Sequence, residues 1–486
     1  MALPPLTSQE TQQISLSFAT SSSVNSIDSE EELMQQLQQA KDQDDLLLQG
    51  GLLEQLGDLA FSKQNFIKAV KIFNAALVIN HLENSQYFYQ KLEEIENTFL
   101  QSHSLSGRSH GNVEKHRQTV AKIRNQVDID YCHKKTDTHH TLVNLTNGYK
   151  QVLCSLVEEA VQCIGPPPTG FAFMGMGSMA RGEMCPFSDL EFAILIEKDT
   201  EKNLRYFQDL SRLIEIKIIN LGETQFRGFA QEESITPIGL SMDSGGMTPL
   251  GHEKYQLIGT AQKLAQYQAD ALTEENSFLI NGLSTICFLT GKESLVENYL
   301  EEVRKILDKK MGALHVFGKP FRSFRAIDFL RKHVEDYTPN PHATADLSRV
   351  LGLKKELYRP IQALLGDLRM FYALNSTNSF DCIRELCSRN LLSKEVEKNL
   401  LKALNDALGN RYEAHVYAKC KRELGYEFKS EEEMDPETER LFPLSNVHIL
   451  GITETFCVIT SLYKAANVFL QTQGEVNSFA KPSVID

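Results

Sequence analysis

Two acidic side chains separated by one apolar residue, Asp189-Leu190-Glu191, follow a glycine-serine turn, Gly177-Ser178, by about ten residues. The turn closes one short apolar run (171–174) and the acids open another (190–196), so both runs read as strands. Residues i and i+2 of a strand share a face. Asp189 and Glu191 are therefore expected side by side, with Cα atoms about 6.5–7 Å apart at a rise of ~3.3 Å per residue, and with Leu190, Phe192 and Ile194 turned into the core. Carboxylates presented this way suit hard divalent cations, which stand ~3.5–4 Å apart in two-metal sites. A turn free of side chains lets backbone N–H groups close on a phosphate, and a following helix N-terminus favours the anion. Ser178 adds a hydroxyl, and Arg181 is placed to meet triphosphate charge, although it is equally placed to pair with Glu183. Either feature alone is commonplace, a tight loop or a solvated edge; the combination points to nucleotide chemistry.

In full, the stretch reads G-S-x-x-R-G-E-x-x-x-x-S-D-x-E, carried by Gly177, Ser178, Arg181, Gly182, Glu183, Ser188, Asp189 and Glu191. It resembles the signature of the polymerase-β-like nucleotidyltransferase superfamily, and in this wording the nucleotidyltransferase domain of PII-protein uridylyltransferases and their uncharacterised relatives. The resemblance implies a Mg²⁺-dependent enzyme, with Mn²⁺ as a substitute. Such an enzyme moves a nucleoside monophosphate from a nucleoside triphosphate such as ATP or UTP to a hydroxyl and releases pyrophosphate. It implies Asp189 and Glu191 as catalytic metal ligands, with Gly177, Ser178, Arg181 and Ser188 around the nucleotide. A third carboxylate should come from a neighbouring strand. Asp243, at the end of the apolar run 235–243 and before a glycine turn, is the expected one. The rival reading is an Asp that caps its own turn, with Glu232 and Glu233 as substitutes. A second similar patch, LGLKKELYRPIQALLGDLRMFYAL (351–374), looks like a helical K-x-x-x-x-R segment of that family. There Lys355 (or Lys354) and Arg359 would share a helical face toward the triphosphate; the alternative is an exposed basic face paired with Glu356 and Asp367. The likeness covers roughly 145–424.

Full-length PII uridylyltransferases also resemble longer chains with metal phosphohydrolase and sensory domains, and no spaced His-Asp cluster is legible here. His139-His140 lie in a polar stretch, and His333 in HVED (333–336) has no evident partners, so these are expected as surface histidines. Removal of the nucleotide is accordingly not expected. Cys185 is expected to pack.

The elements that must hold this site give an α+β fold: a small mixed sheet, the nucleotidyltransferase core, flanked by an N-terminal helical region and a C-terminal helical bundle. Residues 1–30 are Ser-rich and polar and are expected to be disordered. Within 31–100, Leu53, Leu56, Gly57, Ala60, Ala69, Phe73 and Ala76 occupy the positions of a tetratricopeptide-like repeat. Gly57 and Ala69 would be small where two helices cross; an ordinary helical hairpin is the alternative. A second helix pair is expected over 81–100, and a linker over 101–112. The core with its preceding helices follows at 113–258, a helical domain at 259–424, a charged loop at 425–443, and a final helix and tail at 444–486.

Composition narrows the partners. A net charge of −14 argues against a general nucleic-acid binder, which needs a basic footprint. Nine cysteines spaced singly fit reduced thiols in a cytoplasmic, intracellular protein. The N-terminus lacks a basic segment followed by an apolar one, and the apolar stretch 447–470 is broken by Glu454 and Lys464, whereas a spanning helix wants ~20 residues with few or no charges. A soluble protein with no membrane partner is expected. It would bind a nucleoside triphosphate and a protein acceptor or partner through the repeat-like head. The rival function is a catalytically inactive nucleotidyltransferase fold serving as a nucleotide-sensing or protein-interaction module.

Overall fold

The computed structural model describes residues 29–80, 85–105, 107–109, 111–226, 235–236, 238–310, 319–340, 349–426 and 441–480. The polar leader, Glu232, Glu233 and most of the charged loop lie outside them. The fold is α+β and mostly helical.

Four helices open the described chain: α1 (Glu30–Asp42), α2 (Leu46–Ser62), α3 (Phe66–Ile79) and α4 (Ser85–Ser102). Each of the first three starts where a side-chain oxygen caps a free backbone N–H: Ser29 in a capping box, Asp45, and Asn65. The α2–α3 pair crosses as closely as its small residues allow. A Cβ on Gly57 would lie 2.8 Å from the Phe73 ring, and Ala69, Phe73 and Ala76 are completely buried. The described part of 81–100 is one helix, not a helix pair, because Phe88, Leu92, Ile95 and Phe99 keep a single apolar stripe running through it.

The 101–112 segment is no loose linker. The Ser109 hydroxyl is buried on Glu96 at 2.5 Å, and a Cβ on Gly107 would strike the Cys163 carbonyl. Beyond it come α5 (Val113–Cys132) and α6 (Thr138–Ile164), whose Leu153, Leu156, Val157 and Ala160 are buried on one face at helical spacing. The N-terminal helices join the rest through buried charge. Lys217 of α8 (Glu201–Ile219) donates to Glu96 at 2.9 Å and stands 3.6 Å from Glu159, which also meets His116 at 2.8 Å.

The central sheet holds β1 (Phe171–Gly175), β2 (Phe192–Ile196), β3 (Ile258–Gly259) and β4 (Cys287–Gly291) in the order β3-β2-β1-β4. Strand β2 runs antiparallel to β1, with Gly175 opposite Phe192, and parallel to β3. Both of its faces are buried: Phe192, Ile194 and Ile196 on one side, Ala193 and Leu195 on the other. The short helix α7 (Gly177–Arg181) follows β1 directly. Strand β4 falls within a stretch expected to be helical; five residues inside a helix-rich window are too few to impose a period of two.

The second face of the sheet is covered by α9 (Ala261–Gln266), α10 (Glu274–Leu283) and α11 (Glu293–Leu307) through Leu264, Leu279, Leu283, Val296 and Tyr299. Then α12 (Phe321–Tyr337) packs on α13 (Arg359–Tyr372), followed by α14 (Ser379–Ser388) and α15 (Lys394–Ala418). A second small sheet, absent from the sequence reading, pairs β5 (Leu351–Gly352) with β6 (Leu424–Tyr426), and β6 with β7 (Phe442–Pro443). The last helix, α16 (Asn446–Gln471), is long and apolar enough to cross a membrane by length and composition. Here Ile452, Ile459, Tyr463, Ala466 and Phe469 are buried against the rest of the chain, while Val447, Leu450 and Val468 are exposed.

Candidate active site

The sheet presents Asp189 and Glu191 as their spacing requires. Leu190 between them is buried, its N–H bonded to the Ser241 carbonyl at 2.7 Å and its carbonyl to the Asp243 N–H at 3.1 Å. The acids thus sit on the N-terminal extension of β2, on the same side as Ala193 and Leu195. At 193 and 195 that side is sealed by the α9–α11 cluster; at 189 and 191 it opens into a cleft of about 260 Å³. Gly177, Ser178, Arg181, Ser188 and Arg359 line the same cleft.

Gly177 closes directly on Glu191. It has φ +55°, and a Cβ there would lie 1.5 Å from Glu191 Oε2, so only glycine fits. That oxygen is buried and has no hydrogen-bond partner among the described residues. Burial, followed by the negative charge of Asp243 and of Asp189, pushes the Glu191 carboxyl up to about 7, against the pull of Arg181 and Arg359. A buried acceptor with nothing to accept from is costly. Hard oxygen donors, an orphaned oxygen and a side-chain-free cradle together fit Mg²⁺ held by Asp189 and Glu191.

The other expected residues stand as follows. Asp243 is on the neighbouring chain segment, within electrostatic reach of Glu191. Its Oδ2, however, accepts from the Met247 N–H at 3.1 Å, and it does not line the cleft. The turn-capping reading of Asp243 is the one seen. Asp189 is ion-paired with Lys421. Among the described residues, no three His, Cys, Asp or Glu side chains therefore converge as a ready ligand set, which corrects the expected trio. Ser188 is turned to its own loop, its Oγ accepting from the Cys185 N–H at 2.9 Å. Arg181 donates to Glu183 at 3.2 Å, and Glu183 is enclosed by the Tyr358 hydroxyl at 2.5 Å and the Ser379 N–H at 2.7 Å. The pairing reading of Arg181 thus holds while its side chain still lines the cleft.

Lys355 is exposed and outside the cleft; Lys354 takes the expected place. Residues Leu353–Tyr358 form a π-helix, with hydrogen bonds from i to i+5, and the Arg359 backbone N–H bonds back to the Lys354 carbonyl, so the winding is not the α-helical one that the spacing of Lys355 and Arg359 assumes. The Arg359 side chain lies over the Phe278 ring at 5.0 Å and makes no ion pair or hydrogen bond among the described residues.

Several cleft residues are illegible in sequence. Lys421, Glu423 and Arg411 arrive from the far end of α15 and the strap after it. Glu423 gathers Arg411 at 2.5 Å, His415 at 3.1 Å and Lys354 at 3.7 Å. Burial would raise the Glu423 carboxyl, yet the charge of Arg411, the hydrogen bond from His415 and the charge of Lys354 hold it well below the usual range. His333, expected as a surface residue without partners, lines the cleft and bonds through Nδ1 to Asp367 at 2.8 Å. One signal for this pair was present: helical spacing puts Asp367 on the face of Ala363, Leu364 and Met370, an acid in an apolar stripe.

Residues 110–424 match the family described as SidM, N-terminal domain. The chain belongs to that family. Every cleft residue from Gly177 to Glu423 lies inside the span the family covers, whereas α1–α4 and α16 lie outside it. No curated protein matches the chain.

Proposed function

We propose that this chain is a Mg²⁺-dependent nucleotidyltransferase, with Mn²⁺ as a substitute, that moves a nucleoside monophosphate from a nucleoside triphosphate to a hydroxyl on a protein and releases pyrophosphate. The observation that carries the reading is the buried, unpartnered Glu191 Oε2 set against Gly177, two residues from Asp189, in a cleft lined with cations. The polymerase-β-like core is supported by the antiparallel β1–β2 pair, the turn between them, and the Asp243 segment running parallel beside the acids. The match to the SidM N-terminal domain family loosely supports a nucleotidyltransferase-related protein and does not choose the base.

Asp189 and Glu191 would hold the metal; when bound, it neutralises phosphate charge. The chain's own residues do the rest. Arg359, whose side chain makes no ion pair or hydrogen bond among the described residues, offers a planar fork for phosphate oxygens. Lys354 and Lys421 add point charges, and Gly177-Ser178 let the nucleotide approach the backbone. In such transfers, positioning and charge stabilisation supply most of the rate. A protein acceptor is favoured by the helices outside the family region, where Leu46, Leu47 and Leu48 are exposed at the start of α2.

The second reading, a nucleotide-sensing or protein-interaction module without catalysis, draws on the Lys421–Asp189 pair and on Asp243's engagement with its own turn. A panel of four labelled triphosphates with Mg²⁺ and a cell lysate separates the two. Labelled protein bands that vanish in Asp189→Ala/Glu191→Ala support transfer. A Mg²⁺-dependent rise in melting temperature on adding a triphosphate, with no labelling, supports the module.

A further inference from the structure

The attacking hydroxyl must lose a proton, and the acids nearest the expected metal site are all committed. Asp189 is paired with Lys421, Asp243 accepts from the Met247 N–H, and Glu191 would be taken up by the cation. Across the same cleft, His333 is built differently. Its imidazole lies between two rings of its own helix, Phe329 at 6.1 Å and nearly parallel, and Tyr337 at 5.8 Å. Its Nδ1 is fixed on the Asp367 carboxylate at 2.8 Å. Asp367 is only 3 % exposed and has no other hydrogen-bond partner among the described residues. A carboxylate that accepts from Nδ1–H sets the tautomer and leaves Nε2 with a lone pair. That Nε2 has no partner among the described residues, is not a buried orphan, and belongs to a residue of the cleft wall.

We infer that His333, oriented by Asp367, is the general base of the transfer. This rests on the nucleotidyltransferase reading. In the step, the acceptor O–H proton passes to Nε2, the acceptor oxygen forms its bond to the α-phosphorus, and the bond from that phosphorus to the bridging oxygen breaks with pyrophosphate leaving. The imidazolium is stabilised by the buried carboxylate behind it.

The titratable and charged groups around the ring are Asp367 on α13, Lys332, Asp336 and Tyr337 on α12, Glu274 on α10 in the same cleft, and Tyr463 on α16 behind Asp367. Burial opposes the charged ring, and Asp367 more than offsets it, so His333 titrates above the ordinary histidine value. A base of this kind contributes ~10²–10⁴-fold.

The test uses the full chain and labelled triphosphate, with Mg²⁺ kept saturating at every pH so that the ionisation of Glu191 on metal binding does not enter the profile, and with lysate as the acceptor source; it follows the labelling rate against pH. In the wild type the rate should rise about tenfold per pH unit on the acid side and level off above the histidine's pKa. His333→Gln should lose about 100-fold or more and lose that acid limb. It should keep the wild-type thermal shift on binding the triphosphate, which separates base loss from misfolding. Asp367→Asn should retain part of the rate and move the limb to lower pH, because the ring loses its counter-charge. If His333→Gln labels with the wild-type rate and limb while Asp189→Ala is dead, the base assignment fails and the transferase reading stands. A limb abolished by Glu274→Gln or Asp336→Asn instead overturns it in the same way. Wild-type protein that labels nothing overturns both.

Discussion

Replacing Glu191 with Gln should stabilise the metal-free protein and destroy its response to metal. The carboxyl is buried, its Oε2 unpartnered, and its pKa is raised from the ordinary 4.5 to about 7. An acid whose folded pKa is raised costs stability once ionised. The penalty is absent below about 4.5 and complete above about 7. Its size follows from the gap of about 2.5 pH units between those two values, at ~1.36 kcal/mol each, or about 3 kcal/mol. Gln keeps the shape and removes the charge, so at pH 8 the variant should melt a few degrees higher than wild type in EDTA. At pH 4.5 the two should melt alike, because wild-type Glu191 is then neutral too.

Adding Mg²⁺ and a triphosphate should reverse the ranking. Wild type gains about 2.7 kcal/mol at 100 times its dissociation constant, while the variant gains nothing and transfers nothing. Thermal melts across pH 4.5–8, with and without Mg²⁺ and triphosphate, read both effects. A Glu191→Gln variant that melts below wild type at pH 8 in EDTA would refute the argument. It would mean that the carboxylate already has a stabilising partner and is not waiting for a cation.

Gly177→Ala should abolish labelling and the triphosphate thermal shift, because its Cβ would stand 1.5 Å from Glu191 Oε2 at a φ of +55°; retained labelling would show that the turn does not press on the acid. Lys421→Ala frees Asp189, so Mn²⁺ binding without nucleotide, followed by electron paramagnetic resonance, should tighten up to about fivefold for an ion pair worth ~1 kcal/mol; unchanged or weaker binding would show that the two cations do not compete. Lys217→Met leaves Glu96 and Glu159 facing each other without their shared cation, and should cost about 3–5 kcal/mol in thermal unfolding. Metal affinity itself should fall as pH drops below about 7, since Glu191 must ionise to bind; Mn²⁺ titrations at pH 6 and 8 check this.

What could be read in the chain and what could not divide along a physical line. The acids and the glycine turn lie within fifteen residues of one another, and their arrangement is a matter of strand pleat and one tight turn; period-two geometry alone places Asp189 and Glu191 on one face and Leu190 inside. The α2–α3 crossing was legible for the same reason, since Gly57 and Phe73 meet through helix geometry over a short loop. The cations and the Asp367–His333 pair reach the cleft from 332–423, and no local period says which turn of a distant helix will face a strand near residue 190. Local winding also departs from the commonest helix at Leu353–Tyr358, a π-helix, and the lysine that lines the cleft there is Lys354, not Lys355. Asp243 shows the converse: its segment lies where a third carboxylate would be sought, yet the backbone N–H of Met247, four residues on, has claimed its oxygen. A short-range hydrogen bond is cheaper to form than a convergence of three like charges with no cation among them, since each acid added to Glu191's surroundings raises the cost of the next. In the absence of a cation, Asp189 and Asp243 are each held by a partner of their own, Lys421 and the Met247 N–H, and Glu191 alone is left with an unpartnered oxygen among the described residues.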